Sequence, residues 1–207
     1  TMLLNRTNHL TGIKYKDDPA IMMWELANEP RCISCNDEQR EDFHNWINTT
    51  SQLIKSIAPK QLVSTGMEGF DKVNPWEAAQ RQTMIEEGAT QAEAEAAIPL
   101  EYKEGTDFSM DHDYPAIDAY SLHMYPDWWG LNEEDAKEYL KSRIRKARLG
   151  GKPVYLGEYG RMIKFDEDNM FAYQHWDERD GVSMANRDRI YSEWLTIADD
   201  LDLDGAM

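Results

Sequence analysis

The sequence predicts an α/β protein that forms part of a (β/α)8 barrel, and three observations support this. Short apolar segments alternate with longer segments of helical periodicity, which is typical of parallel strands connected by helices. No glycine-rich phosphate-binding motif follows the first predicted strand, which argues against a nucleotide-binding open sheet. Glu29 and Glu158 stand at the ends of two predicted strands, where barrels build their active sites. A complete barrel needs about 250 residues, and the 207 residues here supply at most five strands, so we expect an incomplete barrel in one domain, 1–207.

The composition narrows the classes of partner. The chain has 22 basic and 39 acidic residues, a net charge of −17. This charge disfavours nucleic acids and anionic membranes as partners, and it is compatible with a neutral polysaccharide or with a saline habitat. Seven Trp and 41% hydrophobic residues argue against disorder, and no apolar run is long enough to span a bilayer.

The first predicted strand begins at Ala20 and contains a continuous apolar run from Ile21. Its continuous apolar start suits a strand buried on both faces. Pro30 cannot donate to a sheet ladder, so the strand should end near Asn28 or Glu29. Before this strand, residues 2–16 read as a helix that leads into a loop.

The next segments are a helix, a short strand and an irregular region. Asp37 is the predicted N-cap of a helix that ends near residue 58, and apolar residues recur on one of its faces. A short strand is expected at 61–65. Residues 71–107 are the least regular part, with a surface helix at 83–97. Long loops at a barrel rim are often functional, although a tolerated insertion is the favoured interpretation.

The second half repeats the alternation. A buried strand is expected at 117–125. Asn132 caps a helix with acidic residues at its start and basic residues, including Arg143, towards its end, and Gly150 and Gly151 stop it. The remaining elements are a strand at 152–157 that ends in Glu158, a loop at 161–181, an amphipathic helix at 184–201 and the opening of a strand at 204–207.

The segment WELANEPRC, residues 24–32, resembles the acid/base strand of glycoside hydrolase family 5, and specifically its endo-β-1,4-mannanase branch. The resemblance implies the fourth to seventh βα units of the barrel plus the start of the eighth strand. It also implies a retaining endo-acting hydrolase of mannan, glucomannan or galactomannan that needs no cofactor. The alternatives are a family 5 β-1,4-glucanase and an inactive carbohydrate-binding remnant.

Two carboxylates carry the predicted chemistry. Glu29, after Asn28, matches the family's acid/base, and Glu158, in KPVYLGEYG, matches its nucleophile. Retaining glycosidases hold the two carboxyl groups about 5–5.5 Å apart, and we expect this separation here. The competing interpretation is that both are ordinary surface glutamates in turns.

Further residues match substrate-binding positions of the family. The resemblance assigns Asn28 to the sugar 2-hydroxyl, Tyr125 to the nucleophile and His123 to the neighbourhood of the acid/base. Trp129 matches an aromatic sugar platform; Trp128 beside it either contributes or packs, and Trp76 and Trp176 are undecided. Arg31 and Glu68 match residues that bind the leaving-group side of the cleft, and a salt bridge that fixes the rim is the equally weighted alternative.

Cys32 and Cys35 are the only cysteines. A C-x-x-C pattern suggests redox chemistry, metal binding or a local disulfide. A thioredoxin-like context is missing, and a metal would need two further ligands. Fungal mannanases have a similar short disulfide just after NEPRC, so the resemblance implies a disulfide. No metal site is predicted, because no two His share a helical face with a carboxylate.

The resemblance implies a secreted protein, although no signal peptide is visible. Because residue 1 falls inside a predicted helix, we expect the natural N-terminus to be missing. The family's arginine and histidine from earlier strands, and its tryptophan on the eighth strand, have no counterpart here. The chain alone is therefore expected to be poorly stable and inactive, and a complementary chain that supplies the missing strands stays open as a partner.

Overall fold

The computed structural model describes residues 1–72, 74–98, 104–163 and 181–207, without the side chains of residues 75 and 76. In the described residues, no helix is both long and apolar enough to cross a membrane. The strands are β1 (Met23–Glu25), β2 (Leu62–Ser64), β3 (Tyr120–Met124), β4 (Val154–Tyr159) and β5 (Gly205–Ala206). The helices are α1 (Asp37–Ile57), α2 (Pro75–Glu86), α3 (Gln91–Ala97), α4 (Phe108–His112), α5 (Pro126–Trp129), α6 (Glu133–Gly150) and α7 (Met184–Asp200), with a 3-10 turn at Tyr15–Asp17.

All strand pairs are parallel and follow chain order. β1 pairs with β2, and β3, β4 and β5 form a second ladder. A parallel bridge between Ser64 and Ala119 joins the two ladders. The carboxyl ends of the strands therefore meet at one edge, where a barrel carries its site.

The sheet is curved, because side chains of non-neighbouring strands touch on one of its faces. The Tyr155 hydroxyl on β4 donates to Glu25 Oε1 on β1 over 2.6 Å. On the other face, α6 and α7 cover β3 and β4 with a buried apolar cluster, and α1 covers β2 through Ile47 and Val63.

The first strand is shorter and more exposed than predicted. β1 has three residues, none of them buried, and Met22 just before it is 61% exposed. In the described part of the chain β1 pairs with β2 alone, so its other edge is open. A strand with one neighbour cannot reach the burial of an interior strand, and β3, with all five residues buried, shows the contrast.

The helix predicted at 2–16 is wrong. This segment consists of turns, an antiparallel bridge between Thr7 and Lys14, and the 3-10 turn. The Asn8 side chain accepts the Leu10 N–H, and the Thr11 hydroxyl accepts the Ile13 N–H. Such local side-chain bonds compete with helical hydrogen bonding, and periodicity does not register them.

Two helix boundaries also differ from the prediction. Asn36, one residue before Asp37, caps α1 through a capping box with Gln39. The single helix expected at 83–97 is two helices, because Gly88 has a φ of +106° and Thr90 starts a new capping box. The predicted limits of α6 are confirmed: Asn132 caps it, and Gly151 follows in the left-handed conformation.

Candidate active site

Glu29 lies just after β1 in an uncommon backbone conformation. Its φ is +47°, and its N–H donates to the Gly66 carbonyl over 2.8 Å. Gly66 has a φ of +75°, and a Cβ there would come within 2.1 Å of the Ala27 carbonyl oxygen. The close approach of the segments that leave β1 and β2 therefore fixes the position of Glu29.

Glu158 reaches the same edge through an irregularity in β4. Leu122 pairs with Leu156, but His123 pairs with Glu158, so Gly157 is an extra residue. Such a bulge shifts the alternation of side chains by one residue. Consequently Glu158 shares a face with Tyr155, three residues earlier, whereas strict alternation would separate them.

The two carboxylates meet around His123. Its Nδ1 lies 2.8 Å from Glu29 Oε1 and 3.9 Å from Glu158 Oε2. The Tyr125 hydroxyl donates to Glu158 Oε2 over 2.9 Å. One oxygen of each carboxylate and one ring nitrogen of His123 all lie within 4.8 Å of one another. The site thus pairs two carboxylates at a short distance, each held by a different partner.

The same three residues have donor types that could hold a divalent metal ion, namely two carboxylates and an imidazole. The sequence predicts no metal site, because no two His share a helical face with a carboxylate. Glu29, His123 and Glu158 lie at the ends of three different strands, so their spacing in the sequence does not predict that they meet.

Burial and hydrogen bonding fix the protonation of Tyr125. Burial, together with its hydrogen bond to Glu158, raises the pKa of Tyr125 to about 12. The phenol therefore stays protonated over the working range of most enzymes and can donate to the carboxylate throughout.

Arg31 lies between two carboxylates at the rim. Its Nε and Nη2 donate to the two oxygens of Glu68 over 2.5 Å each, and its Nη1 donates to Glu104 over 2.6 Å. The guanidinium also stacks 4.9 Å from the centroid of the Phe70 ring. Burial raises the pKa of Glu68, against the opposing effect of Arg31. Burial lowers the pKa of Arg31 but its two carboxylate partners raise it, with a net increase.

A cleft of about 700 Å³ opens at this edge of the sheet. Six of the predicted site residues line this cleft: Glu29, Arg31, Glu68, Tyr125, Trp129 and Glu158. His123 is 1% exposed and lies behind Glu29, where it borders a second hollow along β1. Asn28 is exposed and does not line the cleft in the described part of the chain.

The aromatic residues of the cleft are supported from behind. Trp129 packs edge-on against Phe70, at 4.9 Å, and against Tyr139, at 5.3 Å. Trp128 lines the cleft with more than half of its surface exposed. The described residues do not include the side chain of Trp76. They also do not include Trp176 or most of the loop predicted at 161–181.

Sequence reasoning missed the part of the wall that the irregular region supplies. These cleft residues are Asn74, Glu77 and Glu104, together with Phe70 directly before the region. Fully buried Arg143 of α6 fixes the start of this wall, because it donates to the Gly69 carbonyl, to Asp71 over 2.9 Å and to Asn74 over 3.0 Å. Arg143 was predicted only as one of several basic residues near a helix end. Phe70 directly follows MEG and could have been found there, whereas no pattern marks Glu104.

Cys32 and Cys35 are joined by a disulfide, next to Arg31. The loop that they close contacts the irregular region, since the Cys32 N–H donates to the Glu104 carbonyl over 3.2 Å. The disulfide is therefore adjacent to the segment that supplies Glu104 to the cleft.

The chain is similar in sequence to mannan-degrading glycoside hydrolases. Residues 1–85 match the family described as GH family 5 beta-mannosidase-like. The chain is 35% identical to mannan endo-1,4-beta-mannosidase 3 of Arabidopsis thaliana over 196 residues, which cover 91% of this chain and 42% of the relative. It is 34% identical to mannan endo-1,4-beta-mannosidase 8 of Oryza sativa subsp. japonica over 171 residues, which cover 78% of this chain and 41% of the relative. The chain thus spans less than half of these relatives.

Solved structures agree with the sequence relatives. The endo-1,4-beta-D-mannanase of Thermotoga petrophila RKU-1 superimposes with a TM-score of 0.69 at 29% identity, over 100% of this chain and 50% of that chain. The endo-1,4-beta-mannanase of Rhizomucor miehei gives a TM-score of 0.71 at 28% identity, over 99% of this chain and 49% of that chain. With the parallel strands, these likenesses confirm the predicted fold class, an α/β chain that covers part of a (β/α)8 barrel.

Proposed function

Since the chain belongs to glycoside hydrolase family 5, we propose that it is part of a retaining endo-hydrolase of β-1,4-mannosidic bonds in mannan, glucomannan or galactomannan. The observation that carries the proposal is the short distance between the carboxylates of Glu29 and Glu158, with their oxygens and His123 within 4.8 Å. Retaining glycosidases place these groups about 5–5.5 Å apart, whereas inverting enzymes need about 6.5–9.5 Å to admit a water.

In the proposed reaction Glu29 is the acid and Glu158 the nucleophile. Glu29 protonates the glycosidic oxygen while Glu158 attacks the anomeric carbon, which yields a glycosyl ester and a free sugar hydroxyl. Glu29 then removes a proton from water, which attacks the anomeric carbon and releases Glu158. The hydrogen bond from Tyr125 orients Glu158 as a carboxylate, and His123 holds Glu29 at hydrogen-bond distance.

Recognition of the sugar is assigned to the remaining cleft residues. Trp129 and the exposed face of Trp128 offer aromatic surfaces to the apolar faces of pyranose rings. Arg31 and Glu68 are proposed to bind the leaving-group side, and Asn28 the 2-hydroxyl, by resemblance to family positions. The structural salt bridge between Arg31 and Glu68 is compatible with both roles considered for that pair.

The wider setting follows from the same proposal. We assign residues 1–207 to one catalytic domain that acts on a neutral polysaccharide, without nucleic acid or membrane as a partner. The Cys32–Cys35 disulfide suits secretion, because such bonds persist in oxidising compartments. A chain that completes the sheet at its open edges stays a candidate partner.

The test is release of reducing sugar from β-mannan and β-glucan, measured side by side. It uses the longest natural protein that contains this chain and its Glu158→Gln variant. We expect preference for mannan and a loss of at least about a thousand-fold in the variant, because the nucleophile is removed while its shape is kept.

Three outcomes would contradict parts of the proposal. Undiminished hydrolysis by Glu158→Gln would remove this residue as nucleophile. Preference for β-glucan would keep the carboxylate chemistry and identify a β-1,4-glucanase. No hydrolysis by folded protein, with retained binding of mannan, would indicate a carbohydrate-binding remnant.

A further inference from the structure

Glu104 contributes to the cleft from a segment that no motif marks. We propose that Glu104 determines specificity on the leaving-group side, by holding Arg31 in place and by offering its second carboxylate oxygen to a sugar hydroxyl. This inference rests on the proposed function, because it names a further residue of that same site.

The geometry around Arg31 supports this role. Glu68 occupies Nε and Nη2, and Phe70 covers one face of the guanidinium, so Nη1 is the end that Glu104 controls. An arginine has five N–H groups. Three of them bond to Glu68 and Glu104, and the other two have no partner among the described residues, so they are available to a ligand. Arg31 remains 27% exposed, so these donors are accessible from the cleft.

The carboxylate of Glu104 has one oxygen to spare. Its Oε2 accepts from Arg31, and its Oε1 makes no hydrogen bond within the described ranges. Glu104 lines the cleft and its side chain is 16% exposed. A carboxylate oxygen next to an arginine with two N–H groups unused among the described residues can accept from one sugar hydroxyl while the arginine donates to another.

The backbone around Glu104 is fixed against the same wall. The Glu104 carbonyl accepts the Cys32 N–H, and Gly105 has a φ of +71° with space for no side chain, because a Cβ would come within 2.0 Å of the Cys32 carbonyl oxygen. The Thr106 hydroxyl donates to the Phe70 carbonyl over 3.4 Å. Three consecutive residues thus contact the wall that carries Arg31, which gives Glu104 a defined position.

The experiment compares two substrates in the longest natural protein that contains this chain. One is β-1,4-mannohexaose, whose leaving group is a sugar chain; the other is an aryl β-mannotrioside, whose leaving group is a phenol. We expect Glu104→Ala to lower kcat/KM on mannohexaose by about ten-fold, mainly through KM, because a charge-assisted hydrogen bond is lost. The aryl substrate should change by less than about two-fold, since it places no sugar beside Glu104.

Two further variants separate specificity from folding. Glu104→Gln keeps the shape and an acceptor, so its loss should be intermediate; if Glu104→Ala does not fold, Glu104→Gln carries the comparison. Glu95→Ala is the matched control: Glu95 lies on α3, does not line the cleft, and pairs with Arg81 at 3.8 Å. It should behave as wild type on both substrates.

Equal losses on both substrates, or no loss on either, would overturn the inference. Wild-type protein that cleaves neither substrate would instead refute the proposed function and, with it, this role of Glu104. The two failures are distinguishable, because the first requires active wild-type protein.

Discussion

At the scale of single residues, the site and its support use side chains in unfavourable states. Glu29 has a left-handed backbone, which costs about 1 kcal/mol or more in a residue with a Cβ. His112, the last residue of α4, is fully buried and bonds to Ser121 of β3, so protonation of its ring is unfavourable.

Burial holds His112 in its neutral form, against the effect of its hydrogen bond to the Phe108 carbonyl, which raises the pKa. Its Nδ1 lies 2.7 Å from the Phe108 carbonyl, to which it donates, and its Nε2 accepts the Ser121 N–H over 3.2 Å. If Nε2 were protonated, two donors, the Nε2–H and the Ser121 N–H, would point at each other. Burial accordingly lowers the pKa of His112 from 6.5 to about 3.

This depressed pKa predicts a loss of stability in acid. The stabilisation from the neutral ring is complete above pH 6.5 and is lost as the pH falls towards about 3. The contribution amounts to about 1.4 kcal/mol per pH unit within that window. Urea unfolding gives the free energy of unfolding of wild type and His112→Gln at about pH 7 and pH 4.5. We expect this free energy to fall less with decreasing pH in the variant than in wild type. Identical slopes would exclude His112 as the source.

At the scale of elements, residues 104–106 are fixed by contacts with Cys32 and Phe70. The position of Gly105 against the Cys32 carbonyl predicts that Gly105→Ala destabilises the fold by about 2–3 kcal/mol, from a strained φ and a backbone clash together. Gly151 has a φ of +73°, and a Cβ there would meet no atom within 4 Å among the described residues, so Gly151→Ala carries the strain alone. Chemical unfolding of both variants measures the difference, and equal losses would show that the contact with Cys32 contributes nothing.

Sequence periodicity predicted the long helices because capping and charge agree with it. Asn132, the acidic first turn and Gly151 all indicate the same limits for α6. Periodicity failed at residues 2–16, where Asn8 and Thr11 bond the backbone locally, and it merged α2 with α3 across Gly88. Both errors arise from backbone φ angles and local hydrogen bonds, which the pattern of apolar residues does not predict.

The site was predictable where a residue lies at or near the carboxyl end of a strand. Glu29, Tyr125 and Glu158 meet because the ends of parallel strands converge on one edge. Glu104 was not predictable, since its position depends on the path of a long segment held by buried Arg143 and by Cys32. The bulge at Gly157, which turns Glu158 towards the cleft, also has no signal in the alternation of residues.

At the scale of the whole molecule, the described sheet is open at β1 and at β5. Each of these strands pairs with one neighbour, and Met22 at the β1 edge is 61% exposed. Open apolar edges promote pairing between chains. We therefore expect the isolated chain to associate as its concentration rises.

Sedimentation velocity of the isolated chain tests this expectation. Met22→Lys should reduce association, because a charge on an edge strand opposes pairing. Leu149→Lys is the matched control, since Leu149 is 89% exposed and lies on helix α6 and not on an edge strand. Equal effects of both variants, or a wild-type chain that stays monomeric, would contradict the role of the β1 edge.

The contact between Arg31 and Glu104 has a consequence for recombination. The two partners are encoded far apart, so a crossover placed between them joins an arginine from one parent to a cleft wall from another. Such a chimaera would keep Glu29 and Glu158 but lose the match between Arg31 and Glu104 at the rim of the cleft. Libraries that shuffle related genes should therefore inherit residues 31–104 from one parent, and a crossover between Asp71 and Arg143 would separate a second pair that fixes the cleft wall.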